Sequence, residues 1–356
     1  MKNTKKNIVW INTAKAIGII LVYFFHTEFY MGLNLKFLHD IYTPFFTNSF
    51  FFISGYLLFE KQLSDEILSM PSSQWLKSNT QGNGRQMLAN ILFKIAIPTI
   101  IFSVLLYFPK AIVRGHEIEL RSFLYDTIFG GSIWFTCSLT VAELLAFIML
   151  LSRSKKMSVY LIISIVLSLT AIFFAKDANG SYGTSDVPWF WKGGFIAILF
   201  MVLGAYYRKY EQLFSWAFSK KTFLLFSVLL YLFYTEYFSE NIKVSINVGA
   251  FNIMGATASI LGIILFIEIT KLIPYNKCFD YLGKNTLVLY LLSGAIPNVM
   301  SIILLKMIGV SNGSYVIISA LSFLMAIFVV LLVNKYLIFL TDLRKIKPNN
   351  YPYNVR

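Results

Sequence analysis

Stretches of roughly 20 apolar residues, joined mostly by short polar segments, recur along the whole chain, and a helix needs about that many residues to cross a bilayer. That repetition predicts an all-α, polytopic transmembrane bundle. The expected helices are 8–28, 41–59, 91–108, 133–152, 157–175, 189–207, 222–238, 248–270, 286–308 and 315–340. With 57% hydrophobic and 13% charged residues over 356 positions, the chain is far from the balance of a soluble domain. One integral-membrane domain over 1–356 is expected, with 341–356 as a basic tail.

A formal charge of +14 raises nucleic acid as a partner, but the basic residues are scattered among loops rather than gathered in a patch. Topology accounts for them. Most of the 31 basic residues fall on one side of the predicted helices, including Lys2, Lys5, Lys6, Lys77, Arg85, Lys94, Arg153, Lys155, Lys156, Arg208, Lys209, Lys220, Lys221, Arg344 and Lys345. The other side holds few: Lys36, Lys110, Arg114, Arg121, Lys176, Lys192 and Lys243. The positive-inside rule then places both termini in the cytoplasm. A multi-pass protein of the cell membrane is expected, in contact with lipid and without a nucleic-acid partner.

The basic start and following apolar run superficially read as a secretory signal. Asn12 and Lys15 interrupt that run and no small-residue cleavage site follows, so it is expected to stay as the first helix. Cys137 and Cys278 fall in a helix and in a loop on the opposite side, which gives no disulfide framework. No repeat of 20 to 50 residues is visible. The longest loop, 60–90, carries Pro71, Ser72, Ser73 and Gln81-Gly-Asn-Gly-Arg85, a composition that favours turns and mobility. A phosphate cradle there lacks the preceding strand that such loops use. Trp189-Phe-Trp191 and Tyr206-Tyr207 read as interfacial aromatic belts.

The first helix holds the informative residues. A lysine at the centre of a span costs about 2.5–3.5 kcal/mol on insertion scales, so Lys15 needs a reason. Lys15 and His26 are 11 positions apart, which at 100° per residue exceeds three full turns by about 20°. They share one face, separated along the axis by roughly 16.5 Å. Asn12 extends that stripe, whereas Glu28 points roughly the other way. On spacing alone, two readings stand: Lys15 snorkels to the headgroups with His26 in the opposite interface, or the two serve a function. His39 and His116 fall in predicted outer loops, expected to be solvated, and no His/Cys/Asp cluster has metal-ligand spacing.

The segment Trp10-Ile-Asn-Thr-Ala-Lys-Ala-Ile-Gly-Ile-Ile-Leu-Val-Tyr-Phe-Phe-His26, with a basic residue, ten residues and a histidine, resembles the signature of the integral-membrane acyltransferase-3 family. Phe50-Phe-Phe-Ile-Ser-Gly-Tyr-Leu-Leu58 looks like that family's Phe-Phe-x-Ser-Gly segment. Lys94 to Pro98, Ile133-Trp-Phe-Thr-Cys-Ser-Leu139 with Glu143, and Tyr281-Leu-Gly-Lys-Asn-Thr-Leu287 are similar in the same order. The pattern is closest to bacterial polysaccharide O-acetyltransferases, the branch described as similar to fucose 4-O-acetylases. One departure is plain: where many relatives have a histidine after the last motif, this chain has Leu291-Leu-Ser293, and that histidine's role does not carry over.

The resemblance implies transfer of an acetyl group from cytoplasmic acetyl-CoA to a hydroxyl of a cell-surface polysaccharide or its lipid-linked precursor. His26 is then the expected general base, since a neutral imidazole suits a hydroxyl near neutral pH. Lys15, too distant to touch the same carbonyl, is expected either to bind the CoA phosphates or to pair structurally. Glu143 should face the bundle and find a partner such as Lys15, or be a hydrogen-bonded core residue. Ser54, beside Gly55, either allows close packing or leaves room for the pantetheine arm. Arg85 and Lys94 meet CoA phosphate or anionic lipid. Trp134 is an interfacial anchor or lines the acceptor cleft, and Lys192 snorkels or faces the sugar. No permanently bound cofactor or metal is expected. Competing readings are a transporter or flippase for a lipid-linked saccharide, and a non-enzymatic scaffold.

Overall fold

The computed structural model describes residues 4–33, 35–62, 69–77, 84–115, 117–175 and 188–346. In chain order the helices are α1 (Thr4–Met31), α2 (Lys36–Tyr42), α3 (Asn48–Gln62), α4 (Ser72–Lys77), α5 (Gly84–Asn90), α6 (Ile97–Arg114), α7 (Leu120–Thr127), α8 (Trp134–Leu151), α9 (Met157–Phe173), α10 (Trp191–Ser219) and α11 (Lys221–Tyr237). A short hairpin, β1 (Val244–Ser245) and β2 (Ala250–Phe251), follows. Then come α12 (Ile253–Leu272), α13 (Lys277–Lys284), α14 (Thr286–Ser293), α15 (Ile296–Ile308) and α16 (Asn312–Tyr336).

Each predicted span holds a helix or a bent pair. Among the described residues, five stretches are long and apolar enough to cross a membrane alone, and up to seven do so if each bent pair is one span. The bent pairs are α10 with α11, at 99°, and α14 with α15, at 49°; α3 and α9 are apolar but shorter. Length and composition thus support five to seven crossings against the ten expected.

Glycines set the tightest approaches. A Cβ on Gly55 of α3 would sit 1.9 Å from the Met201 carbonyl oxygen of α10, and one on Gly204 would sit 2.0 Å from that of Phe52. Two helices touch backbone to backbone there, as small residues permit inside membranes. At Gly283 a Cβ would meet the Asn12 carbonyl at 2.3 Å, which brings α13 onto α1. Asn12 Nδ2 donates to Asp280 Oδ1 at 2.7 Å, and Lys284 Nζ donates to Asp280 Oδ2 at 2.6 Å. The hydrogen bonds from Lys284 and Asn12 hold the Asp280 carboxyl below the usual carboxylate range.

Several boundaries differ from expectation for local reasons. Residues 249–252 are not helical: Val248 ends a 3₁₀ turn, Gly249 takes a φ of +70°, and Asn252 caps α12 by accepting from the Gly255 N–H at 2.7 Å. Arg208 and Lys209 lie inside α10 rather than in a loop. A kink at Tyr210 (φ −110°, ψ 16°) follows directly, and it is braced by Arg208 paired with Glu211 at 2.8 Å and by Lys271 paired with Glu211 and Glu268 at 3.1 and 3.2 Å. Lys110 and Arg114 likewise belong to α6. Pro98, near the start of α6, cannot donate to the Lys94 carbonyl, and a π-helical stretch, Ile91–Ala96, precedes it. Within the loop expected to be mobile, α4 buries Trp75 against Phe147, ring centroids 5.6 Å apart, with the Arg153 guanidinium 5.0 Å above its ring. Residues 81–83 of the Gly-rich run lie outside the described residues, as do 347–356 of the tail. The tail's first part is fixed, with Arg344 bonded to Asp342 and to Asn90.

Candidate functional site

The uninterrupted α1 carries its two unusual residues to different depths. Below, "N-terminal face" means the end of the bundle where α1 begins, and "far face" the end where it finishes at Met31.

Toward the N-terminal face, α1, α3 and α8 bring Lys15, Ser54 and Glu143 together. The Ser54 hydroxyl donates to Glu143 Oε1 at 2.8 Å, and the Lys15 and Glu143 charges act on one another. All three are half-buried. A cation and an anion inside a bundle compensate each other where either alone would be costly. Gly55, next to Ser54, is filled by α10.

Toward the far face the surroundings are different. The His26 ring stacks on Tyr30 with centroids 6.0 Å apart and lies edge-on to Phe25 at 5.7 Å. Tyr30 donates its hydroxyl to the Gly294 carbonyl at 3.0 Å, at the 49° break between α14 and α15. The Lys110 ammonium reaches the same break: a Cβ on Gly294 would lie 3.7 Å from its Nζ. Its charge acts on His26. Ser293 is buried and donates to the Tyr290 carbonyl at 2.8 Å.

Between the two clusters the shared face of α1 is apolar and tightly packed. Ile19 and Val22 are buried, and a Cβ on Gly18 would meet the Phe50 ring at 2.9 Å. Phe51 and Phe135 stack at 4.7 Å, and Phe135 and Tyr290 at 4.1 Å. Tyr23 donates to the Leu289 carbonyl at 2.9 Å. Segments from α1, α3, α8 and α14 therefore meet in one aromatic layer.

The other expected site residues are dispersed. Arg85 and Lys94 are exposed, on α5 and in the π-helical stretch. Trp134 opens α8, half-buried and edge-on to Phe135 at 5.9 Å. Lys192 is buried at the start of α10, 5.7 Å from the Trp191 ring. His39 is not simply solvated either: its ring lies 5.5 Å from that of Phe25, and Nδ1 is 3.7 Å from Glu28 Oε2. His116 lies outside the described residues. Among the described residues, no group of His, Cys, Asp and Glu has the makings of a metal site.

Tyr30 and Lys110 were not singled out by sequence. Tyr30 follows His26 by four residues, so helical spacing already placed it on the same face. Lys110 falls just past the expected span 91–108, whereas α6 runs on through it, Pro109 included.

A bundle of apolar helices with ionisable residues at two depths of one of them defines the class, a multi-pass membrane protein. The particular family is shown by comparison: the acyltransferase domain model matches residues 8–335, and the chain belongs to that acyltransferase-3 family. Among curated proteins and solved structures no match is found.

Proposed function

We propose that this membrane acyltransferase moves an acetyl group from cytoplasmic acetyl-CoA to a hydroxyl of a cell-surface polysaccharide or its lipid-linked precursor, in the cell membrane. The observation that carries the reading is the placement of Lys15 and His26 on one face of α1 within a chain matched by the family over 8–335. The N-terminal face is cytoplasmic in this reading. Lys15, compensated by Glu143, attracts the anionic donor, and Arg85 and Lys94 add positive charge at the mouth.

His26 is the general base. The acceptor hydroxyl oxygen bonds to the acetyl carbonyl carbon while its proton passes to the imidazole. The carbon–sulfur bond then breaks, and the CoA thiolate takes the proton back from His26, leaving an ester and free CoA. Lys110 supplies the charge that steadies the oxyanion, the part that sequence left unassigned. Trp134 and Lys192 contact the acceptor.

Proton NMR of the surface polysaccharide tests this. Deleting the protein should remove the O-acetyl signals, and the wild type but not His26→Ala, at matched membrane levels, should restore them. Unchanged acetylation with less surface glycan would instead favour the transporter reading.

A further inference from the structure

A recess of about 410 Å³ lies on the far face, and its lining is not used in the mechanism above. His39 and Asp40 of α2, with Thr43 just past it, form one side; Ser239, just past α11, and Lys243 and Ser245, at the hairpin, form the other, and Ile242 and Val244 are among the apolar residues of the lining. Its volume falls in the range of small-molecule sites, roughly 300–1,000 Å³.

The walls are held in place independently of any ligand. Glu28 accepts from the Tyr42 hydroxyl at 2.9 Å and from the Leu35 N–H at 3.0 Å, tying α2 to α1. The Tyr231 hydroxyl donates to the Ile41 carbonyl at 2.6 Å, tying α11 to α2. Asn252 donates to the Asn241 carbonyl at 2.7 Å and accepts from the Lys243 N–H at 3.2 Å, fixing the hairpin.

One polar atom in this frame has no hydrogen-bond partner. Asp40 Oδ2 is buried and accepts none, an unfavourable state that an arriving donor relieves. The lining around it is mixed: a carboxylate that accepts, an ammonium that donates, and hydroxyls that do both. A polyanion would meet Asp40, and a polycation would meet Lys243. A neutral chain of hydroxyls satisfies every group.

Two ring contacts separate the recess from the base. The His39 ring that lines it is 5.5 Å from Phe25, whose ring is 5.7 Å from that of His26. We propose that this recess is a saccharide subsite, holding a neutral sugar residue of the acceptor chain, by a hydroxyl donated to Asp40, while His26 acts on another residue of that chain. The proposal rests on the acyl-transfer reading for its consequence, but binding can be measured separately.

The probe is the set of oligosaccharides released by mild acid from the producing cell's own surface polysaccharide, mixed with full-length protein in nanodiscs and read by saturation-transfer NMR. Wild type and His26→Ala should bind alike. Asp40→Asn should weaken binding about tenfold, and Ser239→Trp, which fills the recess, should abolish it, while both variants keep the wild-type thermal stabilisation by acetyl-CoA. In cells both should lower O-acetyl content. If Ser239→Trp and Asp40→Asn bind the oligosaccharides as tightly as the wild type, or if none of the proteins binds them, the subsite is refuted. Binding lost with the recess, in cells where deleting the protein leaves acetylation unchanged, would refute the acyl-transfer reading and leave the subsite standing.

Discussion

The two ends of α1 present the same kind of residue, a nitrogen base on a shared face, in two different settings. Near Lys15 a cation faces a carboxylate, Glu143, which is in turn held by Ser54 at 2.8 Å. Near His26 an imidazole is stacked on Tyr30 and faces a second cation, Lys110, at the break between α14 and α15. The first setting compensates charge and so suits holding a site open to an anionic donor. The second combines a proton acceptor with a positive charge, which suits a step in which a hydroxyl loses a proton and a carbonyl oxygen gains charge. The aromatic layer between them keeps the environments distinct.

The largest effect expected is at the far end. Lys110→Met should lower the turnover number by about 10²–10³, as loss of an oxyanion donor does elsewhere, with Lys110→Arg recovering part of it and acetyl-CoA binding unchanged. An unaltered turnover number in Lys110→Met would remove the electrostatic half of the comparison. At the other end, Lys15→Met should weaken acetyl-CoA binding by about tenfold, in the range of one charge-assisted contact, measured by thermal shift of the protein in nanodiscs. Reversing the charges in Lys15→Glu with Glu143→Lys should fold better than either single change, read by the yield of monodisperse protein.

A change in the contact of α3 with α10 tests the packing itself. Gly55→Ala places a methyl group against the Met201 carbonyl, so it should cost about 1–3 kcal/mol of stability, seen as earlier thermal aggregation, and an unshifted curve would mean the helices can part there. The smallest effect concerns Asp280. Its folded carboxyl is held below the ordinary value of ~3.9 by Lys284 and Asn12, so its contribution is complete above that value and is lost as pH falls through the folded one. The melting-temperature gap between wild type and Asp280→Asn should therefore be widest near neutral pH and close in acid.

Much of the architecture was legible because lipid leaves so few options. Apolar runs of spanning length must be helices, and the segments containing Trp10 to His26, Phe50 to Leu58, Ile133 to Glu143 and Tyr281 to Leu287 all pack together around α1 or its neighbours. The count of crossings was less legible, since hydropathy cannot distinguish a straight span from the bent pairs at Lys220 and Gly294. Helical geometry put Lys15 and His26 on one face and the fold gave each separate company. The Ser54 to Glu143 bond and the approach of Lys110 to Gly294 join residues distant in sequence, so no local spacing contained them. The buried Trp75 in α4 shows the same limit: a polar, Pro- and Ser-bearing segment acquires a core residue through its contact with Phe147.

The central claim is that α1 carries two separate functional centres, one for the donor and one for proton transfer. Steady-state kinetics in proteoliposomes, with acetyl-CoA varied against the producing cell's deacetylated surface polysaccharide, tests it most directly through His26→Ala and Lys15→Met. His26→Ala should lower the turnover number by about 10²–10⁴ with little change in the KM for acetyl-CoA, while Lys15→Met should raise that KM and leave more of the turnover number. If both variants change the same parameter by the same factor, the two residues act as one centre and the division is wrong.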